Sequence, residues 1–133
     1  MAKKTIKQLN AARVVIDKYL TRDEKGQFDK NKSKINYAVF KFDSKTSIRD
    51  IISEQIEDIN IEYCSTDDKG NIIHDDKGNK VFNKENLRLR LKALKELDAK
   101  EVDFEPYFIS KENYENVITD EDDLQDLKGI FIE

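Results

Sequence analysis

Between Thr5 and Leu20 the apolar side chains recur at steps of three and four residues. Ile6, Leu9, Ala12, Ile16 and then Tyr19 and Leu20 fall on one face of a helix predicted over about 5–20. Thr5, with Gln8 three positions on, has the form of a capping box at its start. The same rhythm runs through Ile35, Val39, Phe42, Thr46, Ile52, Ile56, Ile59 and Tyr63 and predicts a long helix over about 34–62. Two features oppose a single rod. The stretch "INYAVFKF" is rich in β-branched and aromatic residues, so a strand over 33–43 competes with helix there, and Ser47-Ile48-Arg49-Asp50 resembles a capping box for a new helix. Further on, Leu87, Leu91, Leu94 and Leu97 share one face of a helix over about 84–98, with Arg88, Arg90, Lys92 and Lys95 off it and Asn83 placed to cap it. The segment 101–109, "EVDFEPYFI", alternates and then meets Pro106, which suits a short edge strand or extended run. Short helices are predicted over about 111–117, capped by Ser110, and 120–128, opened by Thr119 or Asp120 and stopped by Gly129. The fold class predicted is mainly helical α+β, with antiparallel helices and a small projecting β-hairpin or meander over about 62–83.

That hairpin is built on a repeat. Asp67-Asp68-Lys69-Gly70-Asn71 returns as Asp75-Asp76-Lys77-Gly78-Asn79, and Asp23-Glu24-Lys25-Gly26-Gln27 is a close relative. As a calcium loop the pattern fails, because counting back from the sixth-position glycine puts Ser65 or Ile73 where a carboxylate belongs. One ion shared by both aspartate pairs is also excluded, since the extended stretch between them spans ~13 Å against a ligand shell of ~2.4 Å. A phosphate loop lacks its lysine pattern, and the acids would repel the anion. Each residue does fit a type I turn closed by a glycine bulge.

Composition adds an asymmetry. The 133 residues carry a net charge of -4, but 1–45 hold a balance of +7 and 46–133 one of -11. The basic third could meet nucleic acid, or the two parts could neutralise each other by packing; its lysines are scattered without aromatic interleaving, so nucleic acid is read as an unlikely partner. The length is read as a single domain, 1–133, that buries roughly two thirds of its unfolded surface. The single cysteine, Cys64, fits a reducing compartment. With no long apolar run and no signal-peptide core, the expectation is a chain made in the cytoplasm without a membrane partner.

No catalytic constellation is visible. His74 stands alone between two turns, Cys64 has no motif around it, and Asp120-Glu121-Asp122-Asp123 is read first as a helix start that suits the dipole. The expectation is therefore no enzyme, no metal site and no cofactor.

The order of elements, "IEDINIEYCSTDDKGNII", "NKVFN", "LKELDAKEVDFEPYFIS" and "DLQDLKGIFIE", resembles a family of small proteins of unknown function encoded by tailed bacteriophages and prophages. The resemblance covers about three quarters of the chain and departs from it around "NYAVFKFDSKTSI". It implies a phage context with no enzyme, cofactor or catalytic residues; within that context the segregation of bases and acids toward opposite parts of the chain, which suits contacts between copies, favours a virion structural protein or assembly accessory, in the head, neck or tail region, assembled in the host cytoplasm as an oligomer. Its partners would be other phage proteins or copies of itself. The alternative is a cytoplasmic inhibitor of a host defence or nucleic-acid enzyme acting through its acidic face. On either reading the candidate interface is Ile72 and Ile73 of the hairpin and Ile130, Phe131 and Ile132 of the tail, with Asp120, Asp122 and Asp123 at the rim.

Overall fold

The structure, a computed structural model, describes residues 2–133. The element order is β1 (Ala2–Thr5), α1 (Ile6–Asp17), α2 (Lys34–Thr46), α3 (Ile48–Tyr63), α4 (Lys84–Ala99), β2 (Glu101–Phe104), α5 (Lys111–Tyr114) and α6 (Glu121–Leu127). This is a mainly helical α+β chain, as its periodicity predicts. Where the sequence was read as one domain, two compact units emerge: Met1–Arg49 together with Glu101–Glu133, and Asp50–Lys100 between them in the chain.

The first unit owns a closed core. Thr5 and Gln8 form the capping box of α1, each side chain accepting the other's backbone N–H, at 3.1 and 3.0 Å. Below it Ile6, Leu9, Ala12 and Ile16 are buried at the spacing read from the sequence. The segment 33–43 is helical, capped by Ser33, whose Oγ accepts Asn36 N–H at 3.0 Å. Its β-branched and aromatic residues are where a helix face needs bulk: Ile35, Val39 and Phe42 are buried, and Phe42 lies 4.9 Å from Phe131, ring centre to ring centre.

The long helix predicted over 34–62 is broken. Ser47 adopts left-handed backbone (φ 48°) and ends α2. The hydroxyl of Thr46, not of Ser47, accepts the N–H of Ile48 at 3.3 Å while donating to the carbonyl of Phe42 at 2.8 Å, so the capping box expected at Ser47 is replaced by a link one residue earlier.

A strand at residues 2–5 was not expected. It pairs antiparallel with β2, Ala2 opposite Phe104 and Thr5 opposite Glu101, in a two-stranded sheet. Thus the start of the first unit is fastened to the point where the chain re-enters it.

In the second unit, α3 and α4 are joined by a meander with an eight-residue period. Ser65 N–H donates to Val81 C=O at 2.7 Å, Val81 N–H to Ile73 C=O at 3.2 Å, and Ile73 N–H to Ser65 C=O at 3.0 Å, a closed ring of three bonds. Each repeat supplies one strand position and one turn. In the turns at 67–71 and 75–79, and again at 23–27, the aspartate Oδ1 accepts the N–H groups two and four residues ahead at 2.9 to 3.0 Å. Each glycine is left-handed, with φ between 78° and 82°. The first aspartate of each repeat, Asp23, Asp67 or Asp75, therefore spends its Oδ1 on its own backbone.

Candidate functional site

The residues singled out by sequence divide between the two units. Ile130, Phe131 and Ile132 are buried to 3, 0 and 4% exposure within the first unit, under Phe42, with Ile109 N–H donating to Phe131 C=O at 2.7 Å. The expectation that this tail offers an interface is corrected: left-handed Gly129 turns the chain back after α6, and the apolar residues that follow complete the core. The acidic stretch is a rim only in part, because Asp123 is taken up within the unit. Asp120 caps α6 by accepting Asp123 N–H at 3.0 Å. Asp123 is buried, accepting from Lys18 Nζ at 3.1 Å and from the Tyr19 hydroxyl. The Tyr19 hydrogen bond and Lys18 hold the Asp123 carboxyl below its ordinary range, and the same bond, with burial and the Asp123 and Asp120 charges, pushes the Tyr19 phenol up to about 12. Of the three, Asp120 and Asp122 are exposed and only Asp123 is buried.

Exposed apolar side chains occur in both units, Val14, Phe40, Tyr107, Phe108 and Val117 in the first, but the second has little core beneath them: of its apolar side chains only Cys64 and Leu97 are buried. Ile72 is half-buried and Ile73 is 39% exposed, and larger exposures follow on the helices: Ile61 47%, Leu87 42%, Leu91 54%. The four-leucine face of α4, the clearest periodic signal in the chain, is buried only at Leu97. Periodicity locates a face but cannot say what covers it, and one helix plus a short ribbon have too little surface to cover Leu87 and Leu91.

Within this unit the helices are tied at the meander end. Arg90 Nε donates to Asn60 Oδ1 at 2.6 Å, Lys80 pairs with Glu57 at 2.8 Å, and the Arg90 guanidinium lies 5.2 Å from the Phe82 ring centre. Farther along, α3 and α4 flank a groove of about 660 Å³ whose apolar wall is Ile59, Ala93, Leu97 and Ala99. Charge is segregated along its sides. α3 carries Asp50, Glu54, Glu57, Asp58 and Glu62 against Arg49 alone, whereas α4 carries Lys84, Arg88, Arg90, Lys92 and Lys95 against three acids.

Among the described residues no group of His, Cys, Asp and Glu is arranged to hold a metal ion, and no helix is long and apolar enough to cross a membrane. Cys64 is buried with its Sγ 3.3 Å from Ile61 C=O, and His74 is exposed on the meander. Comparison with protein-family models, with characterised proteins and with solved structures finds no match to this chain.

Proposed function

We propose that this is a non-enzymatic protein that works through protein–protein contacts, as a structural or assembly-accessory component of a phage particle, and that Asp50–Lys100 makes those contacts with other copies of the chain. The observation that carries the reading is the contrast in core: the first unit buries most of its apolar side chains together, while the second buries only Cys64 and Leu97 and leaves Ile61, Leu87 and Leu91 open to solvent with little core behind them. A second copy fits that surface by charge. Turned about a two-fold axis, acidic α3 of one copy faces basic α4 of its partner and the two apolar faces meet.

The magnitudes favour an array over a lone pair. Covering the exposed half of Ile61, Leu87 and Leu91 on two copies gains roughly 6 kcal/mol, at about 1 kcal/mol per side chain. That only offsets the lower end of the roughly 4–15 kcal/mol lost on association. Many copies held together, as in a particle, make such a contact effective. The inhibitor reading draws less support from the C-terminal acids, because Asp123 is engaged by Lys18 and Tyr19 within its own unit.

Mass spectrometry of purified particles against infected-cell lysate tests the reading. Presence at stoichiometric copy number in particles supports it. Absence from particles, with the chain abundant in lysate, overturns it.

A further inference from the structure

A cavity of about 640 Å³ lies in the first unit, between the loop that follows α1, the first turns of α2, and the segment carrying Tyr107 and α5. Its lining is unlike the rest of this chain. Acids outnumber bases overall, 28 to 24, yet among the described residues the cavity is lined by no carboxylate and by two lysines, Lys30 and Lys34. Three tyrosines, Tyr19, Tyr37 and Tyr107, supply ring surface, and Asn31 and Asn113 supply amides that both donate and accept.

The walls are held before any ligand arrives. Asn36, fully buried, fastens the loop to α2: its Oδ1 accepts Thr21 N–H at 2.9 Å, and its Nδ2 donates to the carbonyls of Thr21 at 3.0 Å and Asp29 at 2.8 Å. Tyr37 and Tyr107 meet edge to face, 5.4 Å between ring centres at 69°. Lys30, which lines the cavity, has its Nζ 4.7 Å from the centre of the Phe40 ring, an attraction that anchors the ammonium. The Tyr19 hydroxyl is already bound to Asp123, so that residue offers the cavity its ring. Tyr107 nevertheless keeps 40% exposure, an open aromatic face next to fixed positive charge.

We propose that this cavity is a nucleotide site. A ligand that was only an anion would use the lysines and leave three tyrosines idle, and one that was only a ring would use the tyrosines and gain nothing from a carboxylate-free wall. A nucleotide uses both, with its base stacked on the open face of Tyr107, Tyr37 standing edge-on beside it, and the amides of Asn31 and Asn113 in the same lining to meet its polar edge. Its phosphate lies toward Lys30, Lys34 and the positive end of the thirteen-residue α2. The volume suits one nucleotide and excludes a duplex. Lysines that look scattered in sequence are thus interleaved with aromatics once Tyr107 is brought in from the far end of the chain.

The test is a titration of the isotope-labelled full chain, followed by backbone amide resonances, with adenosine monophosphate, inorganic phosphate and a short single-stranded oligodeoxyadenylate. Shifts confined to residues 30–37 and around Tyr107, with the monophosphate bound about tenfold or more tighter than phosphate, are expected from stacking one base. Tyr107→Ala should remove that advantage, and Lys34→Glu should weaken both, each in a protein whose circular dichroism is unchanged. Oligodeoxyadenylate bound about tenfold tighter than the monophosphate assigns the site to single strands, and equal or weaker binding assigns it to free nucleotide. Phosphate bound as tightly as the monophosphate overturns the proposal, as does the absence of shifts at these residues in the wild type.

Discussion

Arg13 lies flat against Asp43: its Nε and one terminal nitrogen donate to the two carboxylate oxygens at 2.9 and 3.2 Å, joining α1 to α2 by a two-pronged ion pair. The other terminal nitrogen reaches Asp17 at 3.1 Å, and Arg22 approaches the same oxygen at 2.5 Å. The arginine side chain is buried, but both acids keep about a third of their exposure, and that imbalance sets the cost of breaking the pair. Asp43→Ala strands a buried guanidinium on one remaining partner, and urea unfolding should show a loss of about 2–3 kcal/mol. Arg13→Met leaves two carboxylates that water can reach, and the loss should be about 1 kcal/mol. The reverse order would mean that the arginine stem, rather than its charge, holds the helices together.

The Tyr19–Asp123 contact predicts a limit on each side of the pH scale. Tyr19 is raised from 10.0 to about 12, so the folded state holds the phenolic proton more tightly than the unfolded state. Its contribution is complete below pH 10 and fades as pH rises toward 12. Asp123, lowered by Tyr19 and Lys18, acts at the other end. So do Asp67, lowered chiefly by the N–H groups of Asn71 and Lys69, and Asp17, whose burial is outweighed by Arg13 and Arg22. Each lends stability above the usual value of 3.8, and that stability is lost as pH falls below it. Melting temperatures of wild type and Tyr19→Phe should converge above pH 10. Parallel curves throughout would count against the hydrogen bond.

At Gly70 and Gly78 the turn reading is open to direct test. An added Cβ meets nothing within 4 Å at either position, so Gly→Ala pays only for the left-handed backbone, about 1 kcal/mol. Calcium should leave the melting temperature unchanged, because each turn aspartate already accepts two backbone N–H groups. A calcium-dependent rise of several degrees would reinstate a metal loop.

Replacing Leu87 and Leu91 together with Ser should leave unfolding nearly where it was, because both are half open in the isolated chain. In sedimentation velocity the same double variant should lose any concentration-dependent association, while Asp122→Asn should not. A large drop in stability instead would place the leucines in a core of their own chain.

What could be read from sequence was local. The caps at Thr5 and Asn83 and the three aspartate-glycine turns depend on neighbours within four residues, and they form with the partners that spacing suggests; at Ser47 left-handed backbone passes the task to Thr46, and Ser110 opens α5 without a side-chain capping bond. What depends on distant partners was hidden. "AKKT" has no alternation to mark it as a strand until Glu101–Phe104 is set beside it. The tail Ile130–Ile132 reads equally well as interface or core until Phe42 is found against it. The nucleotide cavity could not be seen because Lys30, Tyr37 and Tyr107 come from separate stretches of the chain.

The pairing of residues 2–5 with 101–104 also dictates an order of events during synthesis. Residues 50–100 are all outside the ribosome before β2 has emerged, so the second unit can form its meander ring while the first still lacks half of its sheet and all of α5 and α6. α1 must wait for α6, which packs against it, before its buried face is complete. Closing the first unit therefore brings together residues about a hundred positions apart, a loop closure that costs more entropy than forming any of its helices.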